Sequence, residues 1–165
     1  MKLSANVSYK WGSILIKLKS VNYRVLAIYY TNRREAVYLL QEIVNGEDIV
    51  LLAPINSEYY ARALSNVVSD NSMFMDYVDL LTLSRVIMDL KIYAFDAVII
   101  DLSTSIIDTS DLELLSYIVS SMIHFTQRYG NELVFLSTLR SSFKIACILS
   151  EVCVELSFLE GGLMS

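Results

Sequence analysis

Apolar and polar positions change rhythm several times along this chain. Val7 and Tyr9, then Ile14, Ile16 and Leu18, alternate with polar residues on either side of Trp11-Gly12. That period of two predicts a pair of short strands joined by a tight turn, an N-terminal β-hairpin within residues 1–22. Tyr23 to Tyr30 (YRVLAIYY) reads as a buried strand, and Arg34 to Val44 carries Val37, Leu40, Ile43 and Val44 at helical spacing, stopping at Gly46. Glu47 to Ala53 (EDIVLLA) is the next strand, ended by Pro54. Ser57 to Val68 then opens on a helix-capping residue and continues as an amphipathic helix.

The second half repeats this alternation. Phe74 to Val78 predicts a short strand, and Asp79 to Leu90 a helix whose first residue favours the positive end of the helix dipole. Ala97 to Ile100 is a continuous apolar run ending in Asp101. Ser110 to Tyr129 predicts a long helix closed by Gly130, with Asp108 and Asp111 as capping acids. Leu133 to Leu136, Ser141 to Ser150 and Val152 to Phe158 add a strand, a short helix and a last strand before the Gly161-Gly162 tail. Strands apolar on both faces and separated by helices predict an α/β fold of three layers, α/β/α, around a mostly parallel sheet of five or six strands. We read residues 1–165 as a single domain, with the hairpin at 1–22, the core at 23–160 and a tail at 161–165. Ligands in such sheets sit beyond the carboxyl ends of the strands, where Tyr30-Thr31, Asp101 and Thr138 fall.

Composition narrows the class. With 165 residues, 55% of them hydrophobic, the chain has enough apolar material for one sizeable core. It has no apolar run of the roughly 20 residues a membrane span needs, and its start lacks the apolar centre of a signal peptide, so a cytoplasmic protein without membrane contact is expected. Cys147 and Cys153 show no metal-ligand spacing and read as buried free thiols. The overall charge of −5 conceals a segregation. Residues 1–34 hold Lys2, Lys10, Lys17, Lys19, Arg24, Arg33 and Arg34 and no acid. The rest holds six basic and 18 acidic residues, so +7 is set against −12. A basic segment on an acidic body marks a surface for polyanion or for an acidic partner, or the solvated face of the hairpin.

This order of elements, with AVIIDLSTS at its centre, resembles the RecA/KaiC-like branch of the P-loop ATPases, which includes the archaeal recombinase paralogs. In that family four apolar strand residues end in an Asp that holds Mg²⁺ through water, and Asp101 is the matching carboxylate. The segment ILSEVCVELSFLEGG is similar to the family's closing strand. The phosphate loop departs from the pattern. Where the family has GxxxxGK[ST], this chain has YTNRRE, so that Thr31, Asn32, Arg33, Arg34 and Glu35 form a degenerate loop without glycine. Residues with a Cβ resist the positive φ that such a nest uses, and Glu35 in place of the metal-binding hydroxyl adds negative charge beside bound phosphate. A second alignment, with NVSYKWGSILIKL as the loop and Lys10 as its lysine, is set aside because SILIKLKS alternates with period two.

The water-orienting acid that the resemblance calls for is missing too, since LLAPINSEYY offers Pro54, Ile55, Asn56 and Ser57 at that strand end. Ser137 or Thr138 stands at the sensor position. The resemblance therefore implies a non-catalytic RecA-like paralog with no metal and no cofactor. It would act as an assembly or regulatory partner in DNA repair or recombination, as a homo-oligomer or beside an active paralog. Candidate contacts with DNA or a partner are Lys10, Lys17, Lys19, Arg24, Arg33 and Arg34. The alternative is a nucleotide-sensing switch that binds ATP or another phosphate ligand through Arg33 and Arg34. A third role for these arginines is to pair with Asp101 and fill the emptied metal site. His124, alone in SSMIHFTQRY, reads as structural or surface, and the tyrosine pairs 29-30 and 59-60 read as packing residues.

Overall fold

Strands buried on both faces need a helical layer above and below, and five of the six strands whose burial is described are of that kind. The computed structural model describes residues 2–6, 11–104 and 108–157. Its elements follow in order: β1 (Lys2–Asn6), α1 (Trp11–Ser20), β2 (Val25–Tyr30), α2 (Arg33–Ile43), β3 (Ile49–Pro54), α3 (Ser57–Leu64), β4 (Met73–Tyr77) and α4 (Leu80–Asp89). After a 3-10 turn at Ile92–Ala94 come β5 (Ala97–Asp101), α5 (Thr109–Tyr129), β6 (Glu132–Ser137), α6 (Arg140–Leu149) and β7 (Val152–Ser157). The strands form one sheet in the order β1-β7-β2-β6-β5-β3-β4, and all pairings are parallel.

Alternate residues of β2 to β7 feed two cores. Leu26, Ile28 and Tyr30 of β2 join Ile14 and Leu18 of α1, Leu39 and Leu40 of α2, and Tyr60 and Leu64 of α3 on one face. Val25 and Ala27 join Leu83 of α4, Leu115 and Met122 of α5, and Phe143 of α6 on the other. This is the three-layer α/β/α arrangement that the pattern predicts. Local chemistry ends the helices where the sequence signals it. Asp79 accepts from the Thr82 N–H and Asp108 from the Asp111 N–H, each capping its helix, and Gly130 takes the left-handed φ of 75° that closes α5.

Three expectations are corrected. The N-terminus is not a hairpin: β1 lies parallel to β7 at the sheet edge, and residues 11–20 are a helix. Apolar residues at 14, 15, 16 and 18 satisfy both a period of two and an i, i+4 stripe. The helix uses the second, burying Ile14 and Leu18 and leaving Ile16 69% exposed. The Val7 and Tyr9 part of that reading, and the tail beyond residue 157, lie outside the described residues. The sheet accordingly has seven strands, one more than the sequence pattern suggested. Finally, Cys147 and Cys153 are not free thiols but a disulfide joining the end of α6 to β7, with Cα atoms 5.5 Å apart.

Candidate functional site at the carboxyl ends of the strands

The turn from β2 to α2 is built on Asn32. Its backbone is extended (φ −120°, ψ 118°), its side-chain oxygen accepts from the Arg34 N–H at 2.9 Å, and its carbonyl accepts from the Glu35 N–H at 3.1 Å. Two of the free N–H groups at the start of α2 are thus satisfied within the chain. No residue of the turn has positive φ, so the backbone does not curl into a nest for phosphate oxygens. The arginines diverge. Arg33 lies over the Tyr59 ring, 5.0 Å from its centroid, and with the Asn56 amide oriented to satisfy its neighbours, Arg33 Nη2 donates to Asn56 Oδ1 at 3.0 Å. Arg34 is exposed. Glu35, only 4% exposed, has neither carboxylate oxygen hydrogen-bonded, and burial pushes its pKa up.

Asp101 ends β5 and is 2% exposed. Arg33 and Arg34 do not pair with it. Tyr30 Oη and Tyr60 Oη both donate to Asp101 Oδ2 at 2.6 Å, and the Ser103 N–H donates to Oδ1 at 2.9 Å. Tyr77 Oη donates to the Asp101 carbonyl at 2.5 Å. The two shared tyrosine oxygens are 3.2 Å apart, but each hydroxyl has one proton and spends it on the carboxylate. Ser103 Oγ lies 3.4 Å from Tyr30 Oη and accepts from the Thr138 N–H at 2.9 Å, which ties the ends of β5 and β6 together. Sheet order explains the reach: β6 stands between β2 and β5, so Tyr30 spans the end of one strand to meet Asp101. Burial and the Asp101 charge push the Tyr30 pKa up to about 12, and the same two causes raise Tyr60 and Tyr77. All three stay protonated donors at neutral pH.

This arrangement fixes a buried carboxylate rather than presenting it. A divalent cation at Asp101 would have to displace two tyrosine hydroxyls from a buried carboxylate, and no group of acids, histidines or cysteines that could hold a metal occurs among the described residues. The strand end after β3 offers no base either. Ile55 takes a φ of 60° and is 71% exposed, Asn56 faces Arg33, and the Ser57 N–H donates to Asp76 Oδ1 at 2.9 Å. The acid that serves α3 therefore comes from β4, and its hydrogen bonds to Ser57 lower the Asp76 pKa. Ser137 Oγ accepts from the Leu139 N–H in a local turn. His124 is exposed on α5 against Phe125, away from this cluster.

The sequence-derived contact residues do not share one surface. Arg33 and Arg34 stand at the carboxyl ends of the strands, whereas Lys17 and Lys19 end α1, and Arg24 precedes β2 at the amino ends and donates to the Gly130 carbonyl. Lys10 lies outside the described residues. The alternative loop alignment through Lys10 loses its periodicity objection, since residues 11–20 are helical, but β7, β2 and β6 separate β1 from Asp101. Sequence reasoning missed the tyrosine cluster. Its signal was a tyrosine at the end of β2, another at the end of β4 and a third in the first turn of α3, because a buried tyrosine hydroxyl needs a partner. No family model and no curated protein matches this chain.

Proposed function

We propose that the chain is a non-catalytic RecA-like module, a paralog that keeps the three-layer platform as an assembly or regulatory partner in DNA repair or recombination and has given up nucleotide hydrolysis. The observation that carries this reading is the sealed Asp101. The carboxylate that the resemblance assigns to Mg²⁺ accepts hydrogen bonds from Tyr30, Tyr60 and Ser103 instead. The Asn32-capped turn supports it, because phosphoryl transfer depends almost wholly on positioning and charge stabilisation, and among the described residues the turn has no positive φ for a phosphate nest and no group of residues could hold a metal ion. A cytoplasmic location is part of the proposal, and no helix among the described residues is long and apolar enough to cross a membrane.

Thermal unfolding with and without millimolar ATP or ADP and Mg²⁺ tests it. A ligand that binds only the native state raises the melting temperature by mass action, so the module should melt at the same temperature in all conditions. A Mg²⁺-dependent rise would replace this reading with the nucleotide-sensing switch.

A further inference from the structure

The strand β4 ends the sheet on the side away from β1. It pairs with β3 from Val50 opposite Met73 to Pro54 opposite Tyr77, and among the described residues nothing pairs with its other edge. Natural edge strands are blunted by lysine, proline or a bulge. The run Met73–Tyr77 has none of these, and its one charge, Asp76, is occupied with the Ser57 N–H. Beside this edge lies a cavity of about 500 Å³ lined by Met73, Met75, Val86, Leu90, Ala94 and Phe95. Asp89 and Lys91 also line it and offset each other in charge, so the cavity suits an uncharged apolar group.

We propose that the outer edge of β4 docks a short extended segment of a partner protein, which adds a strand to the sheet and places a bulky apolar side chain, of the Phe, Leu or Met kind, in the adjoining cavity. The unpaired backbone groups of β4 call for an extended chain. Met73 and Met75 lie on one face of the strand, so alternate side chains of an added strand would overhang the cavity. Methionine walls adapt to differing apolar shapes. A five-residue edge buries on the order of a few hundred Å², below the ~800 Å² per partner of a stable globular complex, so the occupant is a tethered segment rather than the folded face of a second copy. The inference rests on the partner-module part of the reading above and names the surface that would serve it.

Random eight-residue peptides displayed on phage, panned against the intact chain, supply the probe. A labelled synthetic consensus is then titrated by fluorescence anisotropy. The expected consensus alternates apolar and polar positions around one bulky apolar residue. Its affinity should fall at least tenfold on Met73→Lys and on Ala94→Glu, both exposed positions whose variants should melt as the parent does. N-methylation of one alternate set of peptide amides should abolish binding, and of the other set spare it, because only one set faces β4. The inference is overturned if no peptide is selected, if binding ignores both substitutions, or if both methylation sets behave alike. A self-dimer in sedimentation that these substitutions dissolve also overturns it, since the occupant is then a second copy. Failure here leaves the thermal-unfolding result with ATP and Mg²⁺ standing, and ATP binding would remove the inactive-ATPase reading without touching this one.

Discussion

Tyr30 and Tyr60 spend their only protons on the same carboxylate oxygen, Asp101 Oδ2, and this sharing sets the local energetics. Hydrogen bonds to a charged group contribute about 1.5–3 kcal/mol, and a buried carboxylate that loses one is left partly unsatisfied. Tyr60→Phe should therefore lower unfolding free energy by about 2 kcal/mol in a urea titration, although it removes a single oxygen. No change in the denaturation midpoint would show that Asp101 does not depend on this donor. A second residue-scale test lies at the amino ends of the strands. Burial, and then the nearby Glu132 and Asp96 charges, push the Glu47 pKa from 4.5 up to about 7. The folded state therefore holds a proton that the unfolded chain releases between pH 4.5 and 7, and the native state loses stability as pH rises across that window. Stability measured at pH 5 and pH 8 should fall toward the higher pH in the parent, and Glu47→Gln should flatten that fall and stabilise the protein at pH 8.

At the scale of elements, α1 offers a direct test of which periodicity governs residues 14–18. In the helix Leu18 is 4% exposed and Ile16 is 69% exposed, whereas a strand would put both on one face. Leu18→Ala should cost about 2–4 kcal/mol and Ile16→Lys should stay within about 0.5 kcal/mol. Equal costs in chemical denaturation would restore the strand. Elsewhere the sequence was legible where one period had no competitor: the central strands, the Asp108 cap and the Gly130 stop lie where the pattern puts them, and Asp79 stands at the start of α4 as its cap rather than as its first residue. It was illegible where two periods fitted the same residues, as in α1, and where partners meet across the sheet. Nothing local in Tyr30, Tyr60 or Asp101 says that three separate elements converge, and the spacing of Cys147 and Cys153 does not reveal that a helix end returns beside its following strand. That disulfide closes a loop with a sequence separation of 6 and should contribute about 2 kcal/mol by restricting the unfolded chain. Thiol reductant should lower the melting temperature of the parent and leave a Cys147→Ser, Cys153→Ser double variant unmoved.

For the whole molecule, the basic N-terminal segment looks like one surface in the sequence and becomes two in the fold. Parallel strands with returning helices send Arg33 and Arg34 to one end of the sheet and Lys17, Lys19 and Arg24 to the other. The six residues of β2 place those ends ~20 Å apart. Arg24 already donates to the Gly130 carbonyl, with Glu151 Oε1 accepting from its backbone N–H, and Arg33 is held by Tyr59 and Asn56. Each phosphate contact on duplex DNA contributes about −0.9 to the slope of log affinity against log salt. One continuous surface using all five residues would give a slope near about −4.5, whereas either end alone gives about −2 to −3 at most. Any binding of duplex DNA, followed by anisotropy from 50 to 200 mM salt, should show the shallower slope, and Arg34→Ala and Lys17→Ala should not both reduce it. A slope steeper than about −4, lost in part with each substitution, would mean that DNA spans both ends of the sheet. The carboxyl-end cluster would then be one half of a nucleic-acid surface rather than an internal tie between strand ends.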